Sequence, residues 1–166
     1  PFLFFYEMNI NHGFYAGTIG AVRQETALLD IPRVNVYTNP IEAESIKKVV
    51  DRIETYSEEN DPILALPLNP IFYFLTGRIN PTPYDWILPG MLNEEDERKV
   101  IGQLQENPPK IIVFVDIPID GKEDRRLARY APLIYRYLIE NYVLEERIGM
   151  FQILLPQMLD QKTKDL

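Results

Sequence analysis

The chain has 166 residues, 46% of them hydrophobic and 25% charged, with a formal net charge of −8 and no cysteine. These proportions suit one globular domain with a substantial core, and the acidic balance opposes a nucleic-acid partner, whose phosphates are gripped by a basic face that releases counterions. The missing cysteines exclude a disulfide scaffold, a zinc-thiolate site and a thiol nucleophile, and no run of about 18 apolar residues is present to span a bilayer.

The chain opens on an aromatic stretch, Pro1–Tyr6, with no initiator methionine, too short for a signal peptide. The expectation is that the chain is a piece of a longer protein. The stretch is then either the interfacial tail of a preceding membrane helix or a buried edge segment. Residues 1–32 read as irregular, with turn residues at Asn11, Gly13, Gly17 and Gly20 and a strand candidate at Thr26–Ile31. His12 is the sole histidine, so any Ser-His-Asp triad or multi-histidine metal site would rest on it alone; a surface or loop histidine is the simpler expectation.

From residue 33 to 156 the pattern predicts an α/β domain. Arg33–Tyr37 alternates with period two, and Thr38-Asn39-Pro40 offers a cap and a first-turn proline to a helix over 41–56, whose stripe is Ile46, Val49, Val50 and Ile53. Ile63–Leu66 is an all-apolar strand candidate covered on both faces. Asn69-Pro70 is expected to cap and open a short helix through Phe72–Leu75 that Gly77 closes, and Asp85–Leu88 is expected to be another short strand. Asn93 before Glu94, Glu95 and Asp96 marks a helix start, with Val100, Ile101 and Leu104 as its buried face. Ile111–Val115 is the strongest strand and belongs in the sheet centre. Leu133, Ile134, Tyr137 and Leu138 stripe a helix opened by Pro132, Tyr142–Leu155 reads as a hairpin around Gly149, and Gln157–Leu166 is a polar tail. The predicted fold is a three-layer Rossmann-like sandwich with a mostly parallel sheet and a C-terminal antiparallel hairpin at its edge.

No glycine-rich phosphate loop, P-loop or G-x-S-x-G elbow is present, and prolines in the strand-to-helix turns remove the N–H groups a phosphate would use. No cofactor is expected. The acidic run Glu94–Glu97 is explained by the helix dipole, since consecutive side chains in one turn point apart and do not gather into a metal or acid/base site. Asp116, at the C-terminal end of the best strand, sits where open α/β sheets bind ligands, with a capping or turn-forming role as the alternative.

The most informative segment is Asn69–Gly90, which packs five aromatics and four prolines around one arginine. Arg78 offers a planar donor fork for an anion, Asn80, Thr82, Tyr73 and Tyr84 offer hydroxyl and amide partners, and Trp86 offers a stacking face for a sugar. The alternative is that Arg78 pairs with Asp85 while the aromatics fill space between a short helix and the sheet. The candidate binding or interface set is therefore Tyr73, Arg78, Asn80, Thr82, Tyr84, Asp85 and Trp86, with no catalytic or metal-ligating residue among them.

Pro67, the run Asn69–Thr82, the Tyr84-Asp85 pair and Leu88-Pro89-Gly90 resemble the C-terminal soluble region of bacterial multispanning glycosyltransferases similar to dolichyl-phosphate-mannose protein mannosyltransferases. The order of the elements from about residue 32 to 156 is similar too. That family's catalytic carboxylates lie in a membrane portion to which no position here corresponds, so none is carried over. The resemblance implies a non-catalytic extracytoplasmic accessory domain at the bacterial inner membrane, partnered by the membrane portion of its own polypeptide and by a lipid-linked sugar or glycan acceptor. A free-standing α/β sugar-binding protein or enzyme, or a structural protein–protein interaction domain, are the alternatives.

Overall fold

The structure, a computed structural model, describes residues 27–157. The expectations for Pro1–Tyr6, for His12 and for the tail beyond Gln157 lie outside those residues. The chain divides into two compact units, one up to Ile46 and one from Lys47.

In the first unit, β1 (Ala27–Ile31) and β2 (Val34–Thr38) form an antiparallel hairpin with Ala27 opposite Thr38 and Ile31 opposite Val34. Asn39 starts α1 (Pro40–Tyr56): its carboxamide oxygen accepts the Ile41 N–H at 2.9 Å, and Thr38 donates its hydroxyl to Glu42.

The second unit is built on a four-stranded sheet of order β3-β4-β6-β5, comprising β3 (Leu64–Leu66), β4 (Ile112–Phe114), β6 (Phe151–Pro156) and β5 (Tyr142–Ile148). The four helices that accompany the sheet are α2 (Ile71–Thr76), α3 (Glu94–Glu106), α4 (Leu127–Tyr130) and α5 (Pro132–Asn141). As the all-apolar runs predict, β3 and β4 are buried throughout, and β4 lies inside the sheet. One face of the sheet, with Leu64, Leu66, Ile112, Phe114 and Leu154, packs in a single core with α3, α4 and α5. Ala65, Val113 and Ile153 alternate to the other face and are equally buried.

The fold is mixed α/β, and its sheet is mixed where a mostly parallel one was expected. Only β3 and β4 run parallel; β4–β6 and β6–β5 are antiparallel. Two expected strands do not join the sheet. Val34–Thr38 spends its pairing on the β1 hairpin, and Asp85–Leu88 makes one backbone bond just past the end of β3, Ile87 N–H to Pro67 O at 3.0 Å. The C-terminal hairpin inserts its second strand beside β4, and a tight turn at Gly149 (φ +58°) forces that strand to run opposite to its predecessor. β5 forms the sheet edge, as expected, with a bulge at Glu145.

Candidate functional site

The Asn69–Gly90 segment leaves the C-terminal end of β3. Pro70 precedes α2, and Gly77, at φ +68°, ends it by returning its N–H to Tyr73 O. That left-handed position suits glycine alone at low cost. Asn69 does not cap the helix with its side chain as expected; its Nδ2 donates to Leu66 O at 3.0 Å and so ties the segment to the strand end. Phe72 points inward, fully buried, with its ring edge on Phe151 at a centroid distance of 5.4 Å.

Tyr73 closes the open edge of β3. Its hydroxyl accepts the Ala65 N–H at 3.0 Å, a donor that no neighbouring strand takes. Burial pushes the Tyr73 hydroxyl up to about 12, and the nearby Asp85 carboxylate adds to the effect.

Arg78 is bonded within the fold. It does not pair with Asp85. Its Nε donates to Ser57 Oγ at 3.1 Å, one terminal nitrogen donates to Ser57 O, and the other to Thr76 O. Both acceptor residues sit at helix C-termini, where carbonyls lack intrahelical partners and a cation is favoured. The guanidinium therefore staples the end of α1 to the end of α2.

Asn80, Thr82 and Tyr84 form a self-contained loop network. Asn80 Oδ1 accepts both the backbone N–H and the hydroxyl of Thr82 at 3.0 Å, while its Nδ2 donates to Tyr84 O at 2.8 Å. Thr82 is buried, and the Tyr84 ring packs on the core. Asp85 stays exposed, with its carboxylate 3.5 Å from the Asn80 amide, and Trp86 is half exposed at 51%. Of the seven predicted residues, then, five spend their polar groups or rings inside the fold, and Asp85 and Trp86 remain outward.

Six large apolar side chains of the same segment and its flanks do the opposite, while Phe72, Leu75 and Ile87 stay buried. Leu68, Ile71, Phe74, Ile79, Trp86 and Met91 are all substantially exposed, Phe74 at 60%. Ile71 and Phe74, three residues apart, share the outer side of α2. A loop whose polar atoms are used internally and whose apolar groups face out can bind by burying those groups, with Asp85 beside Trp86 available to a hydroxyl.

Elsewhere Asp116 is paired with Arg126, which donates to both the Asp116 backbone carbonyl and, at 3.2 Å, its carboxylate. The acidic run fans apart as expected: Glu94 pairs with Arg98, Glu95 with Lys99, and Asp96 closes a capping box with Asn93. Glu97 was missed. It is only 4% exposed, and its Oε2 accepts the N–H groups of Leu133 and Ile134 at 2.8 and 3.1 Å. Among the described residues no three His, Cys, Asp or Glu side chains are grouped to hold a metal ion, and no helix is long and apolar enough to cross a membrane. In comparisons with known proteins, the chain matches no protein-family model, no curated protein and no solved structure.

Proposed function

We propose that this chain is a non-catalytic accessory domain that works by docking its aromatic segment against a partner, and that the partner is the membrane portion of a polyprenyl-phosphate-dependent glycosyltransferase of which it is the extracytoplasmic part. One observation carries the docking reading: Arg78, Asn80 and Thr82 are consumed by internal bonds, while Phe74, Ile79 and Trp86 face out. The resemblance of Asn69–Thr82 to the soluble region of those transferases supplies the identity of the partner, the lipid-linked sugar and glycan acceptor, and the location at the outer face of the bacterial inner membrane. The three-layer Rossmann-like architecture expected for it is supported by the burial of β3 and β4 on both faces.

The test is transfer activity in membranes carrying the full-length protein. F74A/W86A should lower sugar transfer about ten-fold or more while leaving the stability of the 166-residue chain within about 0.5 kcal/mol, because both side chains are exposed. Unchanged transfer would overturn the reading. Trp86, half exposed beside Asp85, favours a second reading as an autonomous sugar site, and glycan binding by the isolated chain that W86A abolishes would select it.

A further inference from the structure

A cavity of about 300 Å³ opens on the α5 side of the sheet, and no residue of the Asn69–Gly90 segment lines it. Its floor is laid out in register. Phe114, Gln152 and Arg147 stand side by side across β4, β6 and β5, and Ile112, Leu154 and Leu144 form the adjacent row on the same face. Tyr135 of α5 forms a wall, its ring 6.3 Å from that of Phe114, and Asp116 stands at the rim, held by Arg126. Phe114 and Asp116 bring the C-terminal end of β4, one of the two parallel strands, into the lining.

The Glu145 bulge decides which charge enters this cavity. Leu144 is opposite Leu154; regular pairing from there would set Glu146 opposite Gln152 and face a carboxylate into the space. The inserted residue instead sets Glu146 opposite Ile153 and Arg147 opposite Gln152. Glu146 turns to the far side and bonds Arg52 at 2.6 Å, while Arg147 lines the cavity. Among the described residues, the Arg147 guanidinium, the Gln152 amide and the Tyr135 hydroxyl have no hydrogen-bond partner, so three polar groups line one aromatic-floored cavity uncommitted.

We infer that this cavity binds a small organic anion, with a ring-sized apolar body against Phe114 and Tyr135 and a carboxylate or phosphate on Arg147, where the Gln152 amide takes a neighbouring oxygen. The volume corresponds to about ten waters, which admits a single substituted ring. This site is independent of the docking surface.

The experiment is a titration of the isotope-labelled 166-residue chain, followed by backbone amide NMR shifts, with phenyl phosphate, phenylacetate, inorganic phosphate and benzyl alcohol as separate probes. At least one of the two ring-bearing anions should give saturable shifts centred on Phe114, Arg147 and Gln152, and the stronger of them identifies the acid group. Inorganic phosphate and benzyl alcohol, each lacking half of the ligand, should bind about ten-fold weaker or less well still. R147Q should weaken the ring-bearing anion about ten-fold or more, and R136Q, on the exposed side of α5 and outside the lining, should leave it unchanged; the amide spectra of both variants report that they are folded. No saturable shift at these amides, R147Q binding like the unaltered chain, or inorganic phosphate binding as tightly as phenyl phosphate would each overturn the proposal.

Discussion

The guanidinium of Arg78 bonds two backbone carbonyls and one hydroxyl at the ends of α1 and α2. Its removal leaves those acceptors without a partner in a partly buried place. R78A should therefore destabilise the domain by about 2–3 kcal/mol in urea unfolding, and R78K should recover less than half of that, because an ammonium cannot present the fork that reaches both helices. A stability loss below about 0.5 kcal/mol for R78A would show that the staple carries nothing. That Arg78 matters was legible from its isolation among aromatics; what it bonds was not. Two of its three acceptors are main-chain carbonyls, one of them 21 positions away, and no side-chain pattern marks a carbonyl at a helix end.

Helix α5 begins at Ala131-Pro132 with no side chain of its own to cap it. Glu97, from α3, fills that role by accepting the Leu133 and Ile134 amides, so one helix ends its electrostatic account on another. E97A should cost about 2–3 kcal/mol and E97Q about 1 kcal/mol, since the amide keeps an acceptor oxygen; E95A, two positions away and exposed, should stay within about 0.5 kcal/mol. Equal midpoints for E97A and E95A in urea would refute the cap. A signal was present in the chain: Glu97 lies three, four and seven residues before Val100, Ile101 and Leu104, on the apolar stripe itself. An acid at a core position of an amphipathic helix announces a buried partner, and the run of acids around it hid that. The β5 bulge carries no such mark, because register depends on a partner strand as well as on the strand that slips.

Several buried tyrosines give the protein its pH response. Burial pushes the Tyr73 and Tyr130 hydroxyls up to about 12 and raises Tyr137 and Tyr142 as well. The unfolded chain releases tyrosyl protons near pH 10. Between that pH and the folded values, the unfolded state holds fewer protons than the folded one, so stability present in full below about pH 10 falls as pH rises. Urea midpoints should be insensitive to these groups below that point and decline above it, with the share of tyrosinate absorbance that these four contribute appearing together with the unfolding transition. A midpoint that stays flat through pH 12 would contradict the burial of these hydroxyls.

Periodicity, caps and turn residues act over roughly ten positions, and features of that kind were readable directly from the residues: the helix from Pro40, the helix start at Asn93, the all-apolar β3 and β4, the Pro132 helix and the hairpin at Gly149. Strand direction, the partner of Val34–Thr38, the uses of Arg78 and Glu97 and the face taken by Arg147 came only with the three-dimensional arrangement. Each of these depends on which distant backbone group or strand is brought alongside. A local pattern states how much a residue wants to be buried or bonded, and long-range packing chooses with what.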